Sequence, residues 1–248
     1  MARFRSVRGR ALKQWMKSPG ALVTDADVES DRLIAATLRE HGVPGRLLSE
    51  ESKSGRTDGK LTWLIDPLCG TYPFSTGMTH WGVNIALRRG GQFEVAALAL
   101  PAIKEQLAMA RGKGVTRNGR AWSPKPSPFV GAKFGDVAVG LEIDGGEMRR
   151  RLMNHGLDWA TQCAQTYSFA SAAYPMGLIC LGRLAAFVIY GVEPVHLAAG
   201  SAIALELGLD VTDDRGAPID WSSDGELPVV VAGWPSVHAQ LIAAMRGL

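Results

Sequence analysis

Cysteine is scarce in this 248-residue chain. There are three, Cys69, Cys163 and Cys180, and no two stand close enough for a C-x-x-C knuckle. An odd count without such pairs excludes a disulfide-stapled secreted scaffold, and makes a reducing cytoplasm the expected compartment. Net charge is equally slight, +3, which is too little for a dedicated nucleic-acid binder. No uninterrupted apolar run of spanning length occurs either. Phe169 to Val192 comes nearest, with Arg183 as its one charge in 24 positions, but Pro175, Gly177 and Gly182 break it into a small-residue helix and a buried strand, so no membrane partner is expected. The basic N-terminus (Arg3, Arg5, Arg8, Arg10, Lys13, Lys17) is not followed by a signal-peptide core and reads as the solvated face of a first helix. What is present is a globular composition, 46% hydrophobic and 21% charged, with too much apolar surface for a disordered chain.

Residues 1–17 suit a short helix, and Asp25-Ala26-Asp27 opens a second with helical spacing of Val28, Leu33, Ile34 and Leu38. Leu47-Leu48 reads as a strand, Ser52 to Lys60 as a surface loop, and Trp63-Leu64-Ile65 as a strand ending in a polar turn from Asp66. Val83–Leu87, Phe93–Leu100 and Gln106–Ala110 suggest an antiparallel sheet, with a tight turn at Asn118-Gly119. Beyond Pro124 the pattern alternates: a strand over Asp136–Leu141, a helix over Gly146–Gly156, a buried helix and strand, a helix over Leu197–Leu207, then a terminal strand and helix.

Lys17-Ser18-Pro19 with Leu22-Val23-Thr24 and Asp27, then Leu48-Ser49-Glu50-Glu51-Ser52, then Trp63-Leu64-Ile65-Asp66-Pro67-Leu68-Cys69-Gly70-Thr71 ending at Phe74, resemble in order and spacing the active-site segments of the inositol monophosphatase family. Gly112-Lys113-Gly114 with Asn118-Gly119, Ser171-Ala172-Ala173, and Val195-His196-Leu197-Ala198-Ala199-Gly200 resemble its later landmarks. The resemblance implies the layered α+β and α/β sandwich of the inositol monophosphatase (sugar phosphatase) fold. An α+β half would cover residues 1–135 and an α/β half residues 136–248. It also implies magnesium-dependent phosphomonoester hydrolysis, in which paired ions roughly 3.5–4 Å apart clamp the attacking and leaving oxygens. Glu50, Asp66 and the Leu68 carbonyl would hold one magnesium; Thr71 would orient water with Asp27 behind it; and Gly70, Thr71, Ser171 and Lys17 would face substrate or phosphate.

Two positions depart. Cys69 stands where the family signature has its second aspartate, and His196 where the late motif has another; in the family both carboxylates bind the second metal. Neither replacement is a hard oxygen ligand, so at most one magnesium is expected. Ile189 stands at the spacing of a family glutamate that grips an inositol hydroxyl, and Val195 replaces a tryptophan. The fold would make Cys69 and His196 neighbours, an arrangement that yields a thiolate nucleophile with an imidazole base, Asp66 orienting the ring. The same residues with Asp66 could instead take zinc, or no cofactor at all. The expectation is a diverged small-molecule enzyme, a hydrolase or transferase acting on a small polar or sugar-like metabolite. The alternatives are a phosphomonoesterase with reduced metal occupancy and an inactive binding or regulatory homologue. A homodimer is allowed. His41, His80, His155 and His238 have no motif around them, and Cys163 and Cys180 read as inert buried thiols.

Overall fold

The computed structural model describes residues 12–18, 20–54, 61–126, 133–145, 148, 150, 152 and 156–247. Arg3, Arg5, Arg8, Arg10 and His155, with most of the helix expected over 146–156, lie outside the described residues. Within them the elements stack as helix, sheet, helices, sheet, helix, and the order follows from which faces are apolar.

The chain enters as a hairpin of β1 (Gln14–Ser18) and β2 (Ala21–Thr24), turned at Gly20, whose φ is 87°. This corrects the helix expected over 1–17 in its described part: β1 is exposed along its whole length and has no face to bury as a helix. Thr24 then caps α1 (Asp25–Glu40), and Asp27 accepts the Thr24 N–H at 2.8 Å. Ile34 and Leu38 of α1 pack on Trp63, Ile65 and Leu87 of a large sheet.

That sheet runs β10 (Arg120–Trp122), β9 (Val115–Arg117), β8 (Glu105–Ala110), β7 (Gln92–Leu100), β6 (Gly82–Arg89), β5 (Leu61–Cys69), β3 (Arg46–Ser49) and β4 (Lys53–Ser54). Neighbours are antiparallel except β3 and β5, which are parallel. β4 occupies part of the stretch expected to be loop. A smaller mixed sheet runs β12 (Gln165–Tyr167), β11 (Ala138–Ile143), β13 (Ala186–Val192), β15 (Leu227–Gly233) and β14 (Asp210–Thr212).

Between the sheets lie α3 (Ala173–Cys180) and α4 (Pro194–Glu206), both nearly all apolar, as helices buried on every side must be. Leu98, Leu100 and Leu107 of one sheet, Met176, Ile179, Leu197 and Ile203 of the helices, and Phe187 and Val230 of the other sheet form one core. Small residues let these layers close. A Cβ on Gly200 would meet Met176 Cβ at 2.6 Å, and one on Gly177 would meet Leu100 Cδ1 at 2.6 Å. α4 begins at Pro194 rather than Leu197, because proline's fixed φ suits the first helical turn. The outer face of the small sheet is covered by α5 (Pro235–Met245), through Val237, Leu241 and Ile242.

Candidate functional site

The expected turn at Asp66 is instead a bulge, with β5 continuing to Cys69. Asp66 pairs with Asn84 and Cys69 with Gly82, so three steps on β5 oppose two on β6. Pro67 sits inside the bulge, where its missing N–H does no harm to the ladder. The extra residue has a geometric effect. In a regular strand, side chains three apart point to opposite faces, but here Cys69 shares a core with Leu64, whereas Leu68 packs with Ala26, Phe74 and Trp81. Asp66 and Cys69 therefore face α4 together.

Asn84, opposite Asp66, reaches across to the start of α4. Its amide donates to the Val195 carbonyl and accepts from Ala199 N at 3.1 Å and Gly200 N at 3.3 Å. This tether places His196, in the first turn of α4, over Asp66, with Nδ1 at 2.6 Å from Asp66 Oδ2. Asp66 is fully buried and its other oxygen accepts Leu68 N at 3.1 Å. One donor atom each from Asp66, Cys69 and His196 falls within 4.8 Å of the others. The pair expected from the sequence is thus brought together with its third member.

Cys69 is held by the segment leading into α3. The backbone N–H groups of Ala172 and Ala173 each donate to its Sγ at 3.2 Å, and the Ser171 hydroxyl lies at 3.5 Å. Ser171 Oγ also donates to Cys69 O at 3.0 Å and accepts from Tyr174 N at 3.2 Å, so this hydroxyl is spent on the framework. Gly70, with φ 101°, follows; a Cβ there would meet His80 O at 2.7 Å.

Thr71 opens the short helix α2 (Thr71–Ser75), and its Oγ1 donates to Asp27 Oδ1 at 2.9 Å. The Asp27 carboxylate is completed by Thr24 N and Oγ1, so the cap of α1 also orients Thr71. Glu50 is aimed from the end of β3 through Glu50 N to Ile65 O at 3.0 Å, and Asp31 braces that turn by accepting from Ser49 and Ser52. Lys17 does not line the pocket. It pairs with Glu51 and stands 3.6 Å from Glu50, so its charge is matched by these acids.

Charge in the site is unevenly matched. Burial, then the Asp66 charge, pushes Glu50 up to about 8. Burial pushes the Cys69 thiol up to about 11, with Asp66 adding to the rise and His196 and Ser171 opposing it. For His196 burial acts downward, but the Asp66 charge and hydrogen bond, with Cys69 and Glu50, hold it well above its ordinary value. With the residue 5% exposed, burial weighs against the charged form of Cys69, and His196 and Ser171 weigh for it.

All of this opens on one pocket of about 290 Å³. Its near wall carries Glu50, Asp66, Leu68, Cys69, Gly70, Thr71 and His196; its far wall carries Glu142, Asp144, Ser168 and Ile189. Glu142 holds that far wall by accepting from Ala170 N at 2.9 Å and Ser168 Oγ at 3.1 Å. No local sequence signal marked Asn84, Asp31 or Glu142, since each acts across the fold.

The model of the inositol monophosphatase family matches residues 2–248. The chain belongs to that family. The Nus factor SuhB of Salmonella typhimurium is 29% identical over 237 residues, covering 95% of this chain and 86% of that protein. The extragenic suppressor protein SuhB of Bartonella henselae superposes with a TM-score of 0.82 at 23% identity, covering 99% and 92% of the two chains. An IMPase/NADP phosphatase solved with Mg2+ and phosphate gives 0.78 at 16% identity, covering 98% and 92%. The fold is the layered α+β sandwich of the inositol monophosphatase family.

Family membership makes magnesium the ion to test against these residues. Glu50, Asp66 and the Leu68 carbonyl share one wall and are hard oxygen donors, so they suit one magnesium. A second does not fit: its positions are a thiol and an imidazole, and His196 already occupies an Asp66 oxygen.

Proposed function

We propose that the chain is a diverged small-molecule enzyme, hydrolysing a small polar or sugar-like phosphomonoester bound between an N-terminal half (1–135) and a C-terminal half (136–248). Water-positioning groups of the family are retained in it, and the leaving-group side is rebuilt around Cys69 and His196. The observation that carries this reading is that Thr71 bonded to Asp27 and His196 bonded to Asp66 both border one pocket. With its proton given to Asp27, Thr71 Oγ1 keeps lone pairs for the hydrogen of an attacking water. Glu50, Asp66 and Leu68 O would hold the one magnesium, which when bound supplies a Lewis acid. Ile189, in place of a carboxylate, offers no acceptor to a polyol and disfavours inositol phosphate. The leaving-group side carries Asp66, Cys69 and His196, a set suited to a softer ion such as zinc.

A panel of sugar and polyol phosphates, assayed for phosphate release by the full chain in defined divalent metals, tests this reading. Thr71→Val should lower turnover roughly a hundredfold while the protein stays folded. Release of no phosphate from any ester, or indifference to Thr71→Val, overturns the reading. A second reading, Cys69 as nucleophile with His196 as base, is favoured by the 2.6 Å Asp66–His196 contact and opposed by burial of the thiol. The relatives named Nus factor SuhB support keeping an inactive binding role as the outcome if both activities are missing.

A further inference from the structure

We propose that Asp66, Cys69 and His196 bind one soft divalent cation of the zinc class, with Cys69 as a thiolate ligand. This rests on the reading above only for the place of the site.

The first argument is convergence. Sulfur, nitrogen and oxygen donors from β5 and α4 already lie within 4.8 Å of one another, and tetrahedral zinc with bonds of roughly 2.0–2.3 Å would replace the 2.6 Å Asp66–His196 hydrogen bond with two metal bonds. Glu50 Oε2, 3.9 Å from His196 Nδ1, is at hand as a fourth donor. A second argument is independent of the first. Two main-chain N–H groups are aimed at Sγ, each at 3.2 Å, a setting that a neutral thiol does not require but a metal-bound sulfur anion uses. Those donors also enclose the sulfur, which suits a ligand better than an attacking nucleophile. Thirdly, both departures from the family's carboxylates fall on one ion position, and both go toward softer donors, the direction that exchanges magnesium for a zinc-class metal. Cys163 and Cys180 make their hydrogen bonds to backbone carbonyls alone and show no such setting.

On binding, the S–metal bond forms as Cys69 releases its thiol proton to solvent, and the N–metal bond forms at a ring nitrogen of His196 freed of its proton. No electron is transferred.

The test uses the full chain, reduced, stripped with chelator and titrated with cobalt(II). One equivalent should produce a sulfur-to-cobalt charge-transfer band that zinc abolishes and magnesium leaves untouched. Cys69→Ser should lose the band, and Cys163→Ser should keep it. Cys69→Asp restores the family carboxylate and guards against a misfolded serine variant: it should bind divalent metal without the band, with circular dichroism confirming the fold. Absence of the band in folded wild type, its persistence in Cys69→Ser, or equal competition by magnesium overturns the proposal. The band without phosphate release would leave the metal site standing and remove the hydrolase reading; release in magnesium alone, without the band, would do the reverse.

Discussion

Replacing Gly200 with alanine sets two effects of opposite sign against each other. Gly200 lies inside α4, where alanine gains about 1 kcal/mol from helix propensity and reduced unfolded-state entropy. Against this, the new methyl would stand 2.6 Å from Met176 Cβ, 3.1 Å from Cγ and 3.4 Å from Cε. Carbon atoms settle at about 3.5–4.0 Å, and a Cβ cannot swing aside, so α3 and α4 must move apart by close to an ångström inside a filled core. Overpacking of this kind costs about 1–3 kcal/mol or somewhat more. Because the clash is Cβ against Cβ, the cost falls in the upper part of that range, about 2–3 kcal/mol, which leaves a net loss of about 1–2 kcal/mol and a fall in Tm of roughly 2–8 °C for a chain of this size. Urea and thermal unfolding, followed by tryptophan fluorescence, measure it. Met176→Ala removes the two outer contacts and leaves the closest one, so in a double-mutant cycle it should relieve only a minor part of the loss. A Gly200→Ala protein as stable as wild type, or more stable, would refute the claim that helix separation is fixed by this contact.

Restoring the family ligands with Cys69→Asp and His196→Asp together should raise magnesium-dependent hydrolysis of a generic phosphomonoester, while each single change does little, because paired metal sites act as units; equal gains from the singles would count against this. Under iodoacetamide at neutral pH, metal-free folded protein should alkylate Cys69 no faster than Cys163, by mass spectrometry, and rapid labelling of Cys69 would restore the nucleophile reading. Glu105 is held below its ordinary value chiefly by hydrogen bonds from Arg117, then against burial by the charges of Arg117 and Arg183. Its stabilisation is therefore present above the unfolded value of 4.5 and lost as pH falls through the lower folded value. Glu105→Gln should cost about 1–3 kcal/mol near neutrality and progressively less below pH 4.5; a cost that does not shrink with acid would exclude the ion pair as its source.

Local pattern carried most of the architecture. Alternation in Val83–Leu87 and Phe93–Leu100 described strands half buried against α4, and the small, apolar run around Pro175 and Gly177 described a helix enclosed by two sheets. The motif ending at Thr71 was legible because its residues are neighbours in sequence. What escaped was cooperation between distant segments. β1 is a strand because β2 pairs with it, Asn84 matters because Val195 lies across from it, and Ser171 and Lys17 have protein partners in Cys69 and Glu51. The setting of the Cys69 thiol was hidden for the same reason: a neighbouring imidazole favours a thiolate, while burial, which only the fold reveals, pushes the thiol up.

The bulge in β5 has a consequence for inheritance. Because it aims whatever stands at positions 66 and 69 toward the first turn of α4, the backbone dictates where donors meet and leaves their chemistry open. Changing Cys69 alone would set a carboxylate beside an imidazole, and changing His196 alone would set a thiol among acids; either leaves a half-converted site. The two positions, 127 residues apart in the chain, should therefore be exchanged as a unit, so that descendants carrying cysteine at 69 keep a nitrogen donor at 196, and those regaining aspartate at one regain it at the other.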